Sequence, residues 1–249
     1  GSYTYGLHAE VEPASSSSID RTTPHFGTNR ARILVTGASG GLGGALIQEL
    51  GDKALGVSRN GKHEGENLNG ITESEVATID VPLEGIVHCG WPIPDNRSLI
   101  SLDNFELAVD YNVASPIKEI LSLSQTLVEK GTENAPLILI GSSFAMPGRH
   151  NYRTPLYSIA KGMVPSICRI LSLELAPKGR RCLAIVFDVL DGGMNRGMSP
   201  RTRASHEDRM PFGRLPSMKE AALQILWVLD NHHELASGAC MELKGGALP

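Results

Sequence analysis

A glycine-rich turn between a short apolar run and a helical pattern constrains the fold of this chain most strongly. Residues 33–35 are Ile-Leu-Val and are followed by Thr36-Gly37, which predicts a buried strand that ends at the turn. Apolar residues then recur at helical spacing over residues 42–50. A strand that passes through glycines directly into a helix is the context of a phosphate-binding turn, because the helix N-terminus presents N–H groups to anions. The sequence therefore predicts a dinucleotide site here.

Each glycine of this turn has a predicted role. Gly37 permits the tight turn, Gly41 lets the backbone approach a pyrophosphate, and Gly43 allows the helix to pack closely on the strand. Ser39 can add a hydroxyl donor, and Leu42 lies at the start of the predicted helix. We expect all five residues to contact the cofactor.

The end of the second predicted strand indicates which dinucleotide binds. This strand covers residues 54–57 and is followed by Ser58-Arg59. An NAD site usually has an acidic residue here, which bonds the ribose 2′-hydroxyl, whereas a cation can hold a 2′-phosphate by charge-assisted hydrogen bonds. Arg59, with Ser39 and Ser58 as further donors, favours NADP(H) over NAD(H). In the alternative interpretation Arg59 is a solvated loop charge, and the preference stays undetermined.

The order of predicted elements indicates the fold class. Strands alternate with helices along the chain, which implies parallel pairing through right-handed crossovers. The prediction is an α/β fold with a Rossmann-like doubly wound parallel sheet, a single domain with helices on both faces. Strands are predicted at residues 33–35, 54–57, near 68, and at 85–89, 137–140, 183–187 and 239–243, and helices at 42–50, 102–113, 115–130, 157–175 and 217–231.

Two segments stand apart from this pattern. Residues 1–30 begin with Gly-Ser, typical of a cloning scar, and are rich in serine, which predicts a flexible tail or a linker to an upstream fused domain. The structured domain is predicted over residues 31–249. Residues 194–214 lack a periodic pattern and predict a substrate loop. Its arginines suit an acidic carrier or a phosphopantetheine phosphate, with a solvated mobile loop as the alternative.

Composition excludes several classes of partner. The net charge of −4 gives no global basic field for nucleic acid or an anionic membrane. The four cysteines show no C-x-x-C spacing and lie in apolar runs, so we expect buried thiols in a cytoplasmic protein and no metal site.

A tyrosine and a lysine supply the candidate chemistry. Tyr157 and Lys161 are four residues apart and share one face of the predicted helix. A phenol with a pKa near 10 is a poor acid–base at neutral pH, and a fixed cation nearby lowers that pKa. We therefore expect Lys161 to lower the pKa of Tyr157. Ser143 precedes Tyr157 by fourteen residues and follows a predicted strand. This spacing favours Ser143 over the adjacent Ser142, which we expect to be a structural hydroxyl.

In combination, these motifs resemble the short-chain dehydrogenase/reductase family from about residue 31 to residue 249, closest to 3-oxoacyl-acyl-carrier-protein reductases and related ketoreductases. The resemblance implies Tyr157 as catalytic acid, Ser143 as hydrogen-bond partner of the substrate carbonyl, and Lys161 as ribose contact. Asn112, within Asp-Tyr-Asn-Val, would hold a water in a proton relay, the alternative being a packing amide. The resemblance further implies that Tyr157, Lys161, Gly90 and the backbone of Leu190 contact the cofactor.

The sequence also departs from the family pattern. Where the family often has Asn-Asn-Ala-Gly, this chain has Val87-His88-Cys89-Gly90-Trp91. Gly90 keeps the backbone approach near the adenine ribose but the amides are absent, and His88 is interpreted as structural. Phe187-Asp188 replaces Pro-Gly, and Gly192 replaces a threonine that often bonds the nicotinamide carboxamide.

The predicted function is NADPH-dependent reduction of a small-molecule or carrier-linked carbonyl, with a 3-oxoacyl thioester as one candidate. The alternatives are an NAD(P)-dependent dehydrogenase of a small or cyclic alcohol, and a nucleotide-binding scaffold with little turnover. By resemblance we expect a homotetramer, with a dimer as the second choice.

Overall fold

The computed structural model describes residues 32–58, 76, 79–92, 98–101, 104–146 and 154–243. The N-terminal tail, Arg59 and the predicted third strand near Leu68 lie outside these residues.

The described strands form one parallel sheet of six, in the order β2-β1-β3-β4-β5-β6. This confirms the predicted fold class. The strands are β1 (Arg32–Thr36), β2 (Ala54–Val57), β3 (Leu83–His88), β4 (Pro136–Ser142), β5 (Arg181–Phe187) and β6 (Cys240–Leu243). The helices are α1 (Gly41–Leu50), α2 (Phe105–Val109), α3 (Ser115–Lys130), α4 (Pro155–Leu175), α5 (Pro200–Glu207) and α6 (Met218–Asn231).

Helices cover both faces of the sheet because successive strand side chains point to opposite sides. In β4, Leu137 and Leu139 pack with α3 and α4, whereas Ile138 and Ile140 pack with α1 and α6. All four side chains are buried. Each face is thus a separate hydrophobic layer, which explains why the central residues of strands β1, β4 and β5 are apolar on both faces.

The order of the strands reverses at β1, which lies between β2 and β3. In open α/β sheets a crevice opens at such a point beyond the carboxyl ends of the strands. None of the helices in the described part of the chain is long and apolar enough to cross a membrane.

Two helical segments differ from the sequence prediction. The helix predicted over residues 102–113 is α2 followed by a π-helical turn, Asp110–Ala114, that continues into α3. The predicted substrate loop contains a 3₁₀ turn, Gly193–Asn195, and helix α5. Ser199 caps the N-terminus of α5, because its side chain accepts from the Thr202 N–H. This segment is therefore structured although it has no apolar period.

Candidate active site

A cavity of about 860 Å³ opens at the carboxyl ends of strands β1 to β5. Its volume lies within the range of cofactor and ligand pockets. Every predicted cofactor residue that the structure describes lines this cavity, and Arg59 alone falls outside the described residues. The lining members of that set are Gly37, Ser39, Gly41, Leu42, Gly43, Ser58, Gly90, Tyr157, Lys161 and Leu190.

The glycines of the turn make close backbone contacts. Gly37 has a φ of +66°, and a Cβ there would lie 2.7 Å from Cα of Gly90. A Cβ at Gly43 would overlap the carbonyl oxygen of Gly37, so the predicted close packing of helix on turn is present. A Cβ at Gly41 would lie 2.6 Å from Cα of Gly193. The approach that Gly41 permits in the structure is therefore that of the loop after β5.

The N-terminus of α1 suits a phosphate group. The helix is capped by Gly40 without any side-chain hydrogen bond, and its first turn has no acidic residue. Its N–H groups and the positive end of the helix dipole face the cavity that the turn lines. The residues present therefore fit a dinucleotide.

Tyr157 and Ser142 form the polar pair at the centre of the cavity. Both side chains line the cavity and are buried, and the Ser142 hydroxyl lies next to the Tyr157 phenol, whose pKa it lowers. Ser142 Oγ accepts from the N–H of Phe144 at 3.3 Å. Burial raises the pKa of Tyr157 to about 12, and the hydrogen bond with Ser142 lowers it by less. The prediction that Lys161 lowers the pKa of Tyr157 below its ordinary value is wrong, because burial raises this pKa.

Ser143 lies beside this pair in sequence but faces elsewhere. Its fully buried hydroxyl donates to Oδ1 of Asp188 at 2.8 Å, and it does not line the cavity. The same Asp188 oxygen accepts from the N–H of Val189 at 2.9 Å. Strand β4 ends at Ser142 and a 3₁₀ turn, Ser143–Ala145, begins at the next residue. The structure thus brings Ser142 to Tyr157 and joins Ser143, the sequence candidate, to the end of β5.

Lys161 lies buried one helical turn after Tyr157, with its Nζ 5.8 Å from the centroid of the Tyr157 ring. Nζ donates to the carbonyl oxygen of Ile140 at 2.6 Å and lies 3.8 Å from the centroid of the Trp91 ring. Burial lowers the pKa of Lys161 to about 7, and the interaction with Cys89 raises it by less. The ammonium is therefore costly to keep charged in this position.

Asn112 lies in the π-helical turn and is buried. Its Nδ2 donates to the carbonyl oxygen of Ala108 at 2.9 Å, within the same helical segment, and the side chain does not line the cavity. Single π-helical turns often mark functional sites. The water relay proposed for Asn112 stays a prediction.

His88 is structural, as the sequence predicted. It is fully buried, its Nδ1 hydrogen-bonds Thr36 Oγ1 at 2.8 Å, and Nδ1 lies 3.4 Å from Oε1 of Glu119. Thr36 Oγ1 also accepts from the N–H of Gly90 at 3.1 Å, so this network positions the loop after β3.

Cysteines and loop arginines have local roles. All four cysteines are free thiols, Cys168 and Cys182 buried and Cys89 and Cys240 partly exposed, and the described residues contain no cluster suited to a metal ion. In the predicted substrate loop, the Arg203 side chain pairs with the carboxylates of Asp191 and Glu207.

Comparison with known proteins identifies the family of the chain. Residues 29–247 match the family model described as enoyl-(acyl carrier protein) reductase. The chain belongs to the short-chain dehydrogenase/reductase family. It is therefore an oxidoreductase of alcohol and carbonyl groups, in a family that binds NAD(P).

Individual members of the short-chain dehydrogenase/reductase family are distant from this chain. Glucose 1-dehydrogenase of Gluconobacter oxydans is 23% identical over 86% of this chain and 91% of its own length. The 3-oxoacyl-[acyl-carrier-protein] reductase FabG of Buchnera aphidicola is 24% identical over 88% of this chain and 98% of its own. A solved glucose/ribitol dehydrogenase of the family from Brucella melitensis has a TM-score of 0.76 at 17% identity, covering 88% of this chain and 97% of that one.

The serine that faces Tyr157 and the partner of Lys161 both differ from, or are missing in, the sequence prediction. Which of Ser142 and Ser143 faces Tyr157 depends on where β4 ends, and this strand ends two residues later than predicted. The contact between Trp91 and Lys161 joins positions 70 residues apart, so no local sequence pattern predicts it.

Proposed function

We propose that this chain reduces a carbonyl to an alcohol with NADPH, using Tyr157 as the proton donor. The observation that carries the proposal is that Tyr157, Ser142 and Lys161 lie together in the cavity that the glycine turn lines. Ser142, in place of Ser143, is the hydroxyl that would hold the substrate carbonyl oxygen, since it alone of the two lines the cavity.

The protonation state of Tyr157 suits the role of proton donor. A phenol whose pKa is raised to about 12 keeps its proton at neutral pH. It can give that proton to an alkoxide, which is a stronger base, as the carbonyl oxygen gains charge. Lys161, when charged, stabilises the phenolate that remains after the proton has left.

The cofactor proposed is NADP(H). A bound nicotinamide cofactor would supply the hydride. The glycine turn and the N-terminus of α1 would hold the pyrophosphate of the cofactor. The backbone of Leu190 would bind the nicotinamide carboxamide, and Lys161 would bind the ribose. The preference for the 2′-phosphate rests on Arg59 and Ser58, which follow β2 where an NAD site has a carboxylate.

The substrate stays open between two classes. A 3-oxoacyl thioester is one candidate, in keeping with the similarity to a 3-oxoacyl-[acyl-carrier-protein] reductase. A small polyol or cyclic substrate is the other, in keeping with the similarity to glucose 1-dehydrogenase. The cytoplasmic location stays a prediction.

The proposal includes a homotetramer, with a dimer as the second choice. Apolar side chains with large exposed areas lie on two long helices, Leu121 on α3 and Ile170 and Leu173 on α4, and Leu173 is 76% exposed. On α6, Trp227 is 57% exposed. Two apolar patches on separate helices support two interfaces in a closed assembly.

The test is a panel of ketones, 3-oxoacyl thioesters and alcohols, assayed with both cofactors. Consumption of NADPH with at least one carbonyl, faster than oxidation of the matching alcohol with NADP⁺ at pH 7, is the expected result. Oxidation of alcohols alone would favour the dehydrogenase, and tight nucleotide binding without any turnover would favour a scaffold.

A further inference from the structure

We propose that Trp91 is a positioning residue, whose indole face holds the ammonium group of Lys161 charged and in place beside Tyr157. This inference rests on the proposed function only in assigning a catalytic use to Lys161. The contact itself is a property of the folded chain: Nζ of Lys161 lies 3.8 Å from the centroid of the Trp91 ring.

The surroundings of Lys161 leave it few other stabilising contacts. The side chain is 4% exposed, and a buried ammonium is unfavourable unless a partner compensates for the lost water. Within the described residues, no carboxylate lies within ion-pair distance of Nζ, and the one hydrogen bond is to the carbonyl oxygen of Ile140. The negative face of an indole attracts a cation, most strongly where water is excluded.

Trp91 is itself held in an arrangement that presents its ring to Lys161. It follows Gly90, whose N–H is bonded to Thr36, and its ring centroid lies 5.7 Å from that of the buried His88. Trp91 therefore approaches from the loop after β3, while Ile140 approaches from β4. The two partners fix Nζ between two neighbouring strand ends.

The position also explains why a large residue stands here. In this chain the loop after β3 has an indole directly after Gly90. An indole narrows the cavity above Lys161 and supplies a neutral partner that does not compete with the hydroxyl of Tyr157. A carboxylate in this place would pair with the ammonium and cancel its effect on the phenol.

The first experiment compares Trp91→Leu with Trp91→Phe. Leucine keeps an apolar wall without a π face, so the charged form of Lys161 loses its stabilisation and its pKa falls further. The alkaline limb of kcat/KM against pH should move down by about one pH unit in Trp91→Leu and by clearly less in Trp91→Phe. Alkaline limbs at the same pH in the parent and in both variants would overturn the proposal and show that Trp91 only lines the cavity.

Other titratable groups line the same cavity or contact Trp91, and their effects on the pH profile must be distinguished from that of Lys161. They are Tyr157 on the same helix, Cys89 and His88 from β3 and its loop, Glu119 from α3 and Asp188 after β5. The separation uses the fact that the chain has two tryptophans, of which Trp227 is exposed on α6.

The second experiment therefore needs no turnover and leaves Trp91 unchanged. In Trp227→Phe, the emission of Trp91 should change with pH near 7, as the neighbouring ammonium gains or loses its proton, and Lys161→Met should abolish the change. Emission that is constant between pH 5 and 9, or a transition that survives Lys161→Met, would overturn the proposal. This result stands whether or not any carbonyl is reduced.

Discussion

Ser142 and Tyr157 lie together in the lining of the cavity, whereas the neighbouring hydroxyl of Ser143 donates to Asp188 at 2.8 Å and does not line it. Two consecutive serines therefore have separate tasks. The first faces the reacting groups and the second joins the ends of β4 and β5. This arrangement is the basis of the first prediction.

Ser142→Ala and Ser143→Ala should separate catalysis from stability. Ser142→Ala removes a donor to the developing oxyanion and should lower kcat by about 10²–10³-fold. Ser143→Ala removes one buried hydrogen bond, so it should cost about 1 kcal/mol of unfolding free energy and leave kcat close to the parental value. Steady-state kinetics and thermal melting measure both. A larger kcat loss in Ser143→Ala would return the catalytic role to Ser143.

Arg59→Ala should remove the preference for NADPH. A charge-assisted hydrogen bond to the 2′-phosphate is worth roughly 1.5–3 kcal/mol, so NADPH affinity should fall about 10–100-fold. NADH has no such phosphate, and its affinity should stay constant. Lys62→Ala, which removes a cation three residues away, is the matched control in fluorescence titrations. Parental protein that binds both cofactors equally would contradict this prediction.

Lys161→Met should stabilise the folded chain, and more at low pH. Burial lowers the pKa of Lys161 from 10.5 to about 7, so between these values the unfolded chain holds more protons. The stability contributed by this group rises with pH across that window, and below pH 7 the full cost of the buried charge is present. The Tm gain in Lys161→Met should therefore be several degrees at pH 6 and shrink toward pH 10. A gain that is independent of pH would show that the pKa of Lys161 is the same in the folded and the unfolded chain, and would contradict the lowered pKa.

Leu173→Glu should weaken the assembly. Leu173 is 76% exposed on α4, close to Ile170, and a carboxylate in an apolar interface is unfavourable. Light scattering at micromolar concentration should give a tetramer mass for the parent and a lower mass for the variant. Glu174→Gln, on the same helix and also exposed, is the control that should keep the parental mass. A monomeric parent would contradict the proposed assembly.

The local parts of this structure could be predicted from the sequence. The glycine turn, its strand and its helix are contiguous, so their pattern of glycines and apolar residues predicts them directly. The alternating strands and helices likewise predicted a parallel sheet, which the six described strands confirm. Helix α6 was predicted from residue 217, where Ser217 and Glu220 form a capping box.

The parts that depend on packing could not be predicted in the same way. Which serine meets Tyr157 depends on the last residue of β4, and a shift of one residue reverses the direction of a strand side chain. The pKa of Tyr157 depends on how deeply α4 is buried, and a spacing of four residues carries no information about that burial. Trp91 meets Lys161 only because β3 and β4 are neighbours in the sheet.

The most direct test of the central claim is kcat for Tyr157→Phe with a carbonyl that the parent reduces. Phenylalanine keeps the ring and removes only the hydroxyl, so the fold and NADPH affinity should be retained. Tyr111→Phe removes a second phenol that lines the same cavity and should change kcat little. We predict a loss of about 10²–10⁴-fold in Tyr157→Phe, the reach of general acid–base catalysis. A kcat near the parental value in that variant, with NADPH bound as tightly, would contradict Tyr157 as the proton donor.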